Sequence, residues 1–190
     1  MIEVNMIKAL RKLPKGQPMP FRGSHYSLTI TKSMGKPLVK IINNKLLVNF
    51  YQEYPPIPVQ VPLVKWYRHK AKAYIPVRAA SWANKMRVRY NKIFIKDQES
   101  RWGSCSSLKN INFNWRIMMA PDEVIDYLLI HELAHLKEMN HSKSFWTLVK
   151  SFDPNYKEHI SWLKDNEHPL FLLLPKLPVD ILNKITFYVE

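Results

Sequence analysis

"HELAHLKEMNH", residues 131–141, holds three of the chain's seven histidines, with a glutamate directly after the first. His131 and His135 are four residues apart. On a helix that spacing places both imidazoles on one face, about one turn from each other. Two imidazoles so placed can bind one metal ion from the same side. Glu132 is turned roughly 100° around the helix. It does not compete as a ligand, yet it can reach a water held by the metal. His141 follows His135 by six residues, past the expected helix end at Asn140. A chain that turns there can bring His141 back as a third ligand. Three protein ligands leave a fourth position for water, the catalytic rather than the closed structural arrangement. Zinc lowers the pKa of bound water to about 7, and Glu132 is the candidate base.

A His-Glu-x-x-His pattern also arises by chance, and two histidines on a helix are usually only that. Here the pattern sits in "EVIDYLLIHELAHLKEM", which is apolar around much of its circumference and reads as a central buried helix. Pro121-Asp122-Glu123 starts it well, with acids at the positive end of the dipole. Imidazoles and a carboxylate are rarely buried without partners, which favours a bound ion. Glu158, on a later helix, is the rival third ligand. His25, His69 and His159 read as surface or core residues. Cys105 could ligate in principle, but its strand position favours burial.

Upstream, "HYSLTI", "PLVKII" and "KLLVNFY" read as an N-terminal β-meander of about three strands, with Asn43-Asn44 as a tight turn. "EYPPIPVQVP" reads as a connector. Residues 63–86 read as a helix that Pro76 must kink or restart. Residues 87–96 alternate like a strand. "SRWGSCSS" and "NINFNWRIM" read as a hairpin, within which Arg101, Ser104 and Asn112 could present donors to a substrate. Gly103 predicts a close approach of backbone or a functional role. Two further helices follow, "SKSFWTLVKSF" and, after Pro154, "NYKEHISWLKD".

The chain has 190 residues, 46% of them hydrophobic and 12% aromatic, enough for a packed core. Neither the N-terminus nor "PLFLLLP" (169–175) is long enough for a signal peptide or a membrane span. A single cysteine, Cys105, fits a reducing compartment, so a soluble cytoplasmic protein is expected. Net charge is +14, from 29 basic and 15 acidic residues. No acid occurs between Glu53 and Asp97, an interval holding Lys65, Arg68, Lys70, Lys72, Arg78, Lys85, Arg87, Arg89, Lys92 and Lys96. Such a basic region suits nucleic acid or a nucleotide, though a solvated face looks the same.

"FRGSHYSLTI", "RWGSCSS", "NINFNWRIMMAP" and "YLLIHELAHLKEMNHSKSFW" together resemble the YgjP-like zinc metallopeptidases, relatives of the SprT-like and minigluzincin-type proteins. The resemblance covers about residues 20–166, and residues 100–146 are its specific part. It implies an α+β, zincin-like core in which a small, mostly antiparallel sheet packs on the active-site helix. It also implies His131, His135 and His141 as ligands of Zn2+, or of another divalent metal, with Glu132 as base. The histidine spacing equals that of metzincins, but Glu138 stands where they carry a turn glycine, and no methionine follows Met139. The expected layout is a β-rich region over 1–62, a catalytic core over 63–167 and an extension over 168–190, probably packed as one unit. The leading expectation is a zinc metallopeptidase acting on a peptide or protein laid along the hairpin. A metal-dependent nucleoside triphosphate pyrophosphatase is the alternative. A nucleic-acid-associated protein with a structural zinc is the second alternative.

Overall fold

The computed structural model describes residues 13–52, 58–179, 182 and 187–189. The chain divides into two compact units, Met1–Trp66 with Leu177–Glu190, and Tyr67–Lys176. The architecture is mixed α+β.

The first unit is a five-stranded sheet of β1 (Pro18–Phe21), β2 (Ser24–Ser33), β3 (Leu38–Ile42), β4 (Lys45–Tyr51) and β8 (Tyr188–Val189), in the order β1-β2-β4-β3-β8. Asn43 and Asn44 both have positive φ, 47° and 58°, the backbone a two-residue hairpin turn demands, and asparagine tolerates it. The β3–β4 hairpin therefore forms as expected. The rest is not a meander, because β2 lies parallel to β4, with Leu28 opposite Leu46 and Ile30 opposite Val48. Leu28, Val39, Leu46 and Val48 are buried, and Phe50 meets Phe187 edge-on at 5.7 Å. The N-terminal stretch read for a signal peptide lies largely outside the described residues, as does the core of the proline-rich connector.

Helix α1 (Gln60–Met86) runs from the first unit into the second without interruption at Pro76. Proline inside a helix costs about 3 kcal/mol, so the expected break was reasonable. Tyr67, Ala71, Ile75, Ala79 and Ala83 recur every four residues and are buried, and that continuous apolar stripe offsets the lost hydrogen bond.

The second unit holds a three-stranded sheet of β5 (Lys92–Lys96), β6 (Gly103–Cys105) and β7 (Asn110–Asn114), ordered β5-β7-β6. The β6–β7 hairpin is antiparallel as expected, but β5 pairs parallel to β7, so the sheet is mixed rather than mostly antiparallel. The strand read over 87–96 begins only at Lys92. A 3-10 turn (Trp115–Met119) leads to α2 (Asp122–Ala134), against which α3 (Lys143–Phe152), α4 (Tyr156–Leu173) and β6 pack. Ser142 caps α3 by accepting a bond from the Phe145 N–H at 3.3 Å. Helix α4 carries Pro169 and absorbs much of the apolar run that the sequence left unassigned. Among the described residues, no helix is long and apolar enough to cross a membrane.

Candidate metal centre

Helix α2 ends at His135, four residues before the expected stop after Met139. Its last turn tightens: the Leu136 N–H donates to the Leu133 carbonyl at 3.1 Å and the Lys137 N–H to the Ala134 carbonyl at 3.0 Å. The chain then reverses, and the Ser142 N–H donates to the Asn140 carbonyl at 2.7 Å. This reversal brings His141 onto the helical pair. One ring nitrogen from each of His131, His135 and His141 lies within 4.8 Å of the others. The Nε2 atoms of His131 and His141 are 3.1 Å apart.

Each imidazole is aimed from behind. His135 Nδ1 is 3.1 Å from the Glu138 carbonyl, which can only accept, so Nδ1 carries the proton and Nε2 the lone pair. His131 Nδ1 is 3.2 Å from the Tyr127 hydroxyl. A proton on Nδ1 donated to that oxygen leaves the His131 Nε2 lone pair facing the cluster. Burial raises the Tyr127 pKa, and the nearby charge of Glu132 adds to this, so Tyr127 stays a neutral phenol. Burial, reinforced by His135 and His141, pushes His131 down to about 3. Burial also lowers His135. Neutral imidazole is the form that binds metal.

An aromatic wall from α3 fixes the ring planes. Phe145 is fully buried and touches all three histidines, with centroids at 5.0 Å from His131, 4.6 Å from His135 and 4.8 Å from His141. Trp146 stacks on the exposed His141 at 5.5 Å and 22°, and its ring stacks in turn on Tyr156. The sequence reading missed Tyr127, Phe145 and Trp146 as members of this shell. Tyr127 was within reach of sequence reasoning, since it precedes His131 by one helical turn.

Glu132 is buried at 4% exposure, and its Oε2 has no hydrogen-bond partner among the described residues. Burial pushes its pKa up to about 8, opposed by the positive charge of Arg101. Gly103 explains the close fit: a Cβ there would sit 2.5 Å from Glu132 Oε1. The chain needs glycine because the carboxylate occupies the side-chain space.

The other candidates separate from this group. Glu158 is exposed and outside the cluster of ligand atoms. His159 is bound to Asp153, with Nδ1 at 2.8 Å from Oδ2. Burial raises the Cys105 thiol, and Glu132 adds to the shift, which disfavours the thiolate a metal needs. Asn112 Nδ2 donates to Ser104 Oγ at 3.1 Å, so this pair of proposed donors bonds mutually. β6 is an edge strand of its sheet, as a substrate-pairing wall requires. In the basic interval, Arg78 is held by Asp126 at 2.7 Å and Arg68 lies 3.6 Å from Asp97, while Lys72, Lys85, Arg87, Arg89, Lys92 and Lys96 are exposed.

The residues fit a divalent cation. Nitrogens bound about 2.0–2.1 Å from a tetrahedral zinc lie about 3.3–3.4 Å apart, so small ring rotations suffice. The orphaned Glu132 Oε2 beside the imidazoles is the second sign of a missing polar partner.

Comparison with known proteins adds three similarities. The chain is 29% identical over 85 residues to the UTP pyrophosphatase of Escherichia coli (strain K12), an alignment covering 44% of this chain and 51% of that protein. The chain thus spans about half the length of that curated relative. It is similar to the crystallised metallopeptidase zymogen abylysin of Pyrococcus abyssi, at 23% identity and TM-score 0.44, covering 48% of this chain and 93% of that one. It is also similar to the metallopeptidase zymogen jannalysin of Methanocaldococcus jannaschii, at 19% identity and TM-score 0.42, covering 48% and 95%. The decisive match is to a family profile, the YgjP-like metallopeptidase domain, along residues 2–166. With most of its length inside that match, the chain belongs to the YgjP-like family.

Proposed function

We propose that the protein is a zinc-dependent hydrolase that cleaves peptide bonds, with His131, His135 and His141 as metal ligands and Glu132 as general base. The observation that carries this reading is the convergence of three ring nitrogens within 4.8 Å beside a buried carboxylate with an unpaired oxygen. A bound zinc ion would supply Lewis acidity and a lowered pKa for water at the site. Its charge would also favour the ionised form of Glu132, against the effect of burial.

The chain's own residues do the rest. Tyr127 and the Glu138 carbonyl hold two imidazoles with Nε2 inward. The edge of β6 offers backbone donors and acceptors to an extended substrate. Glu132 Oε2 takes a proton from the attacking water as its oxygen bonds to the carbonyl carbon. The same carboxyl returns that proton to the leaving amine as the C–N bond breaks.

Hydrolysis of a nucleoside triphosphate is the second reading. It is favoured by the exposed Arg101 beside Glu132 and by the similarity to a UTP pyrophosphatase. Water would then attack phosphorus, and pyrophosphate would leave. A screen of peptides and nucleoside triphosphates, with and without chelator, separates the two. Peptide cleavage that stops on chelation and returns with zinc supports the first, and pyrophosphate release without peptide cleavage replaces it with the second.

The ligand set has its own test. His141→Ala is expected to weaken zinc binding by at least about tenfold, a conservative figure for losing one ligand. Glu158→Ala should bind zinc like wild type. The reverse pattern in a competition titration with a chromogenic chelator moves the third ligand to α4.

A further inference from the structure

Arg101 lies two residues before Gly103, on the approach to β6. Extended chain alternates its side chains, so residues 101, 103 and 105 share one side and Trp102 and Ser104 take the other. Two of these directions are fixed by contacts. Gly103 lies against the Glu132 carboxylate, where a Cβ would meet Oε1 at 2.5 Å. Trp102 turns away and meets the Phe171 ring edge-on at 5.1 Å and 85°. The alternation therefore carries Arg101 on the Glu132 side. The electrostatics agree, since the Arg101 charge is felt at Glu132 and opposes the effect of burial there.

The backbone under Arg101 is clamped. The fully buried Asn114 donates from Nδ2 to the Arg101 carbonyl at 3.1 Å and to the Gln98 carbonyl at 2.8 Å. The Asn114 N–H donates to the Trp102 carbonyl at 2.7 Å. The side chain is exposed, and among the described residues its guanidinium has no hydrogen-bond or ion-pair partner. Other arginines of this unit are engaged: Arg116 by Asp97 at 2.6 Å, Arg78 by Asp126 and Arg68 by Asp97. An anchored, unpaired guanidinium beside a reactive carboxylate has the planar fork that binds carboxylate and phosphate groups bidentately.

We propose that Arg101 is a specificity-determining residue that binds an anionic group of the substrate, a phosphate or a carboxylate, and so places the scissile bond at Glu132. The proposal rests on the reading of Glu132 and the three histidines as the reactive centre. The two chemical sources are a nucleotide's phosphates and the terminal carboxylate of a peptide. Both use the same fork, and substrates lacking an anion in reach lose that anchor.

The test is isothermal titration of the zinc-loaded full chain as wild type, Arg101→Gln, Arg101→Lys and the control Lys157→Gln. The probes are inorganic pyrophosphate, a tripeptide with a free C-terminus and the same tripeptide amidated. Any direct metal–probe contact is common to all four proteins, so the ratio between them isolates the guanidinium. Arg101→Gln should weaken anion binding by at least about tenfold, the scale of a lost charge-assisted hydrogen bond. Arg101→Lys should fall between, keeping charge but not the fork, and Lys157→Gln should match wild type. Weakening confined to pyrophosphate assigns the phosphate source, and weakening confined to the free-acid peptide assigns the carboxylate source. Equal affinities in Arg101→Gln and wild type, or no binding of either anion by wild type, overturn the proposal. Zinc stoichiometry measured on the same samples keeps the two levels apart. Failure of the metal-centre reading shows as wild type without zinc, whereas failure of the present proposal shows as zinc bound and anion affinity unchanged.

Discussion

Glu132→Gln is expected to keep its metal and to lose turnover by about 10²–10⁴-fold, the usual worth of a positioned general base. The substitution is nearly isosteric. It preserves the packing of the side chain against Gly103, where there is no room for a different shape. It replaces an oxygen that can take a proton with an amide that cannot. None of the three histidines is altered, so zinc stoichiometry should stay at the wild-type value. Burial already disfavours the charged carboxylate, so a neutral amide should leave thermal stability equal or higher. Metal analysis, a melting curve and kcat on one preparation check all three points. Turnover within a few-fold of wild type would remove Glu132 from the mechanism.

Gly103→Ala is the second large effect, and it touches no proposed ligand. The added methyl would sit 2.5 Å from Glu132 Oε1 and 2.9 Å from Cδ and Cγ. Glu132 is buried, so its carboxylate cannot simply swing into solvent. Overpacking of this kind costs about 1–3 kcal/mol. Displacing the base by about an ångström costs a further factor of about 10² in rate. The variant should therefore melt lower, bind zinc and turn over slowly. A Gly103→Ala protein with wild-type kcat would mean that the strand does not lie against the catalytic carboxylate.

The centre was more legible in the sequence than its frame. His131 and His135 repeat at one helical turn, and Pro121-Asp122-Glu123 marks the start of α2, both local signals. The end of α2 was misjudged because "LKEM" consists of good helix formers. What stops the helix is the return of the chain toward His141, with the Glu138 carbonyl turned to His135 Nδ1. That is a tertiary demand overriding propensity. Pro76 fails in the opposite sense: a helix breaker by local rule sits inside α1, held by a buried stripe that only packing reveals.

Strands were found where residues alternate, but alternation fixes faces and not partners. The parallel pairings β2–β4 and β5–β7 join segments separated by intervening chain, so the meander and the mostly antiparallel sheet were the natural misreadings. Gly103 shows how far a single residue can point. Its rarity signalled a close approach, while the group approaching it, the Glu132 carboxylate, required the fold.

The central claim is that three imidazoles share one divalent cation, and X-ray absorption at the zinc edge of the purified protein tests it most directly. The account predicts one zinc per chain, with three imidazole nitrogens and one light scatterer at about 2.0–2.1 Å, and loss of an imidazole in His141→Ala. A protein that takes up no zinc, or a shell containing sulfur at about 2.3 Å from Cys105, would contradict it.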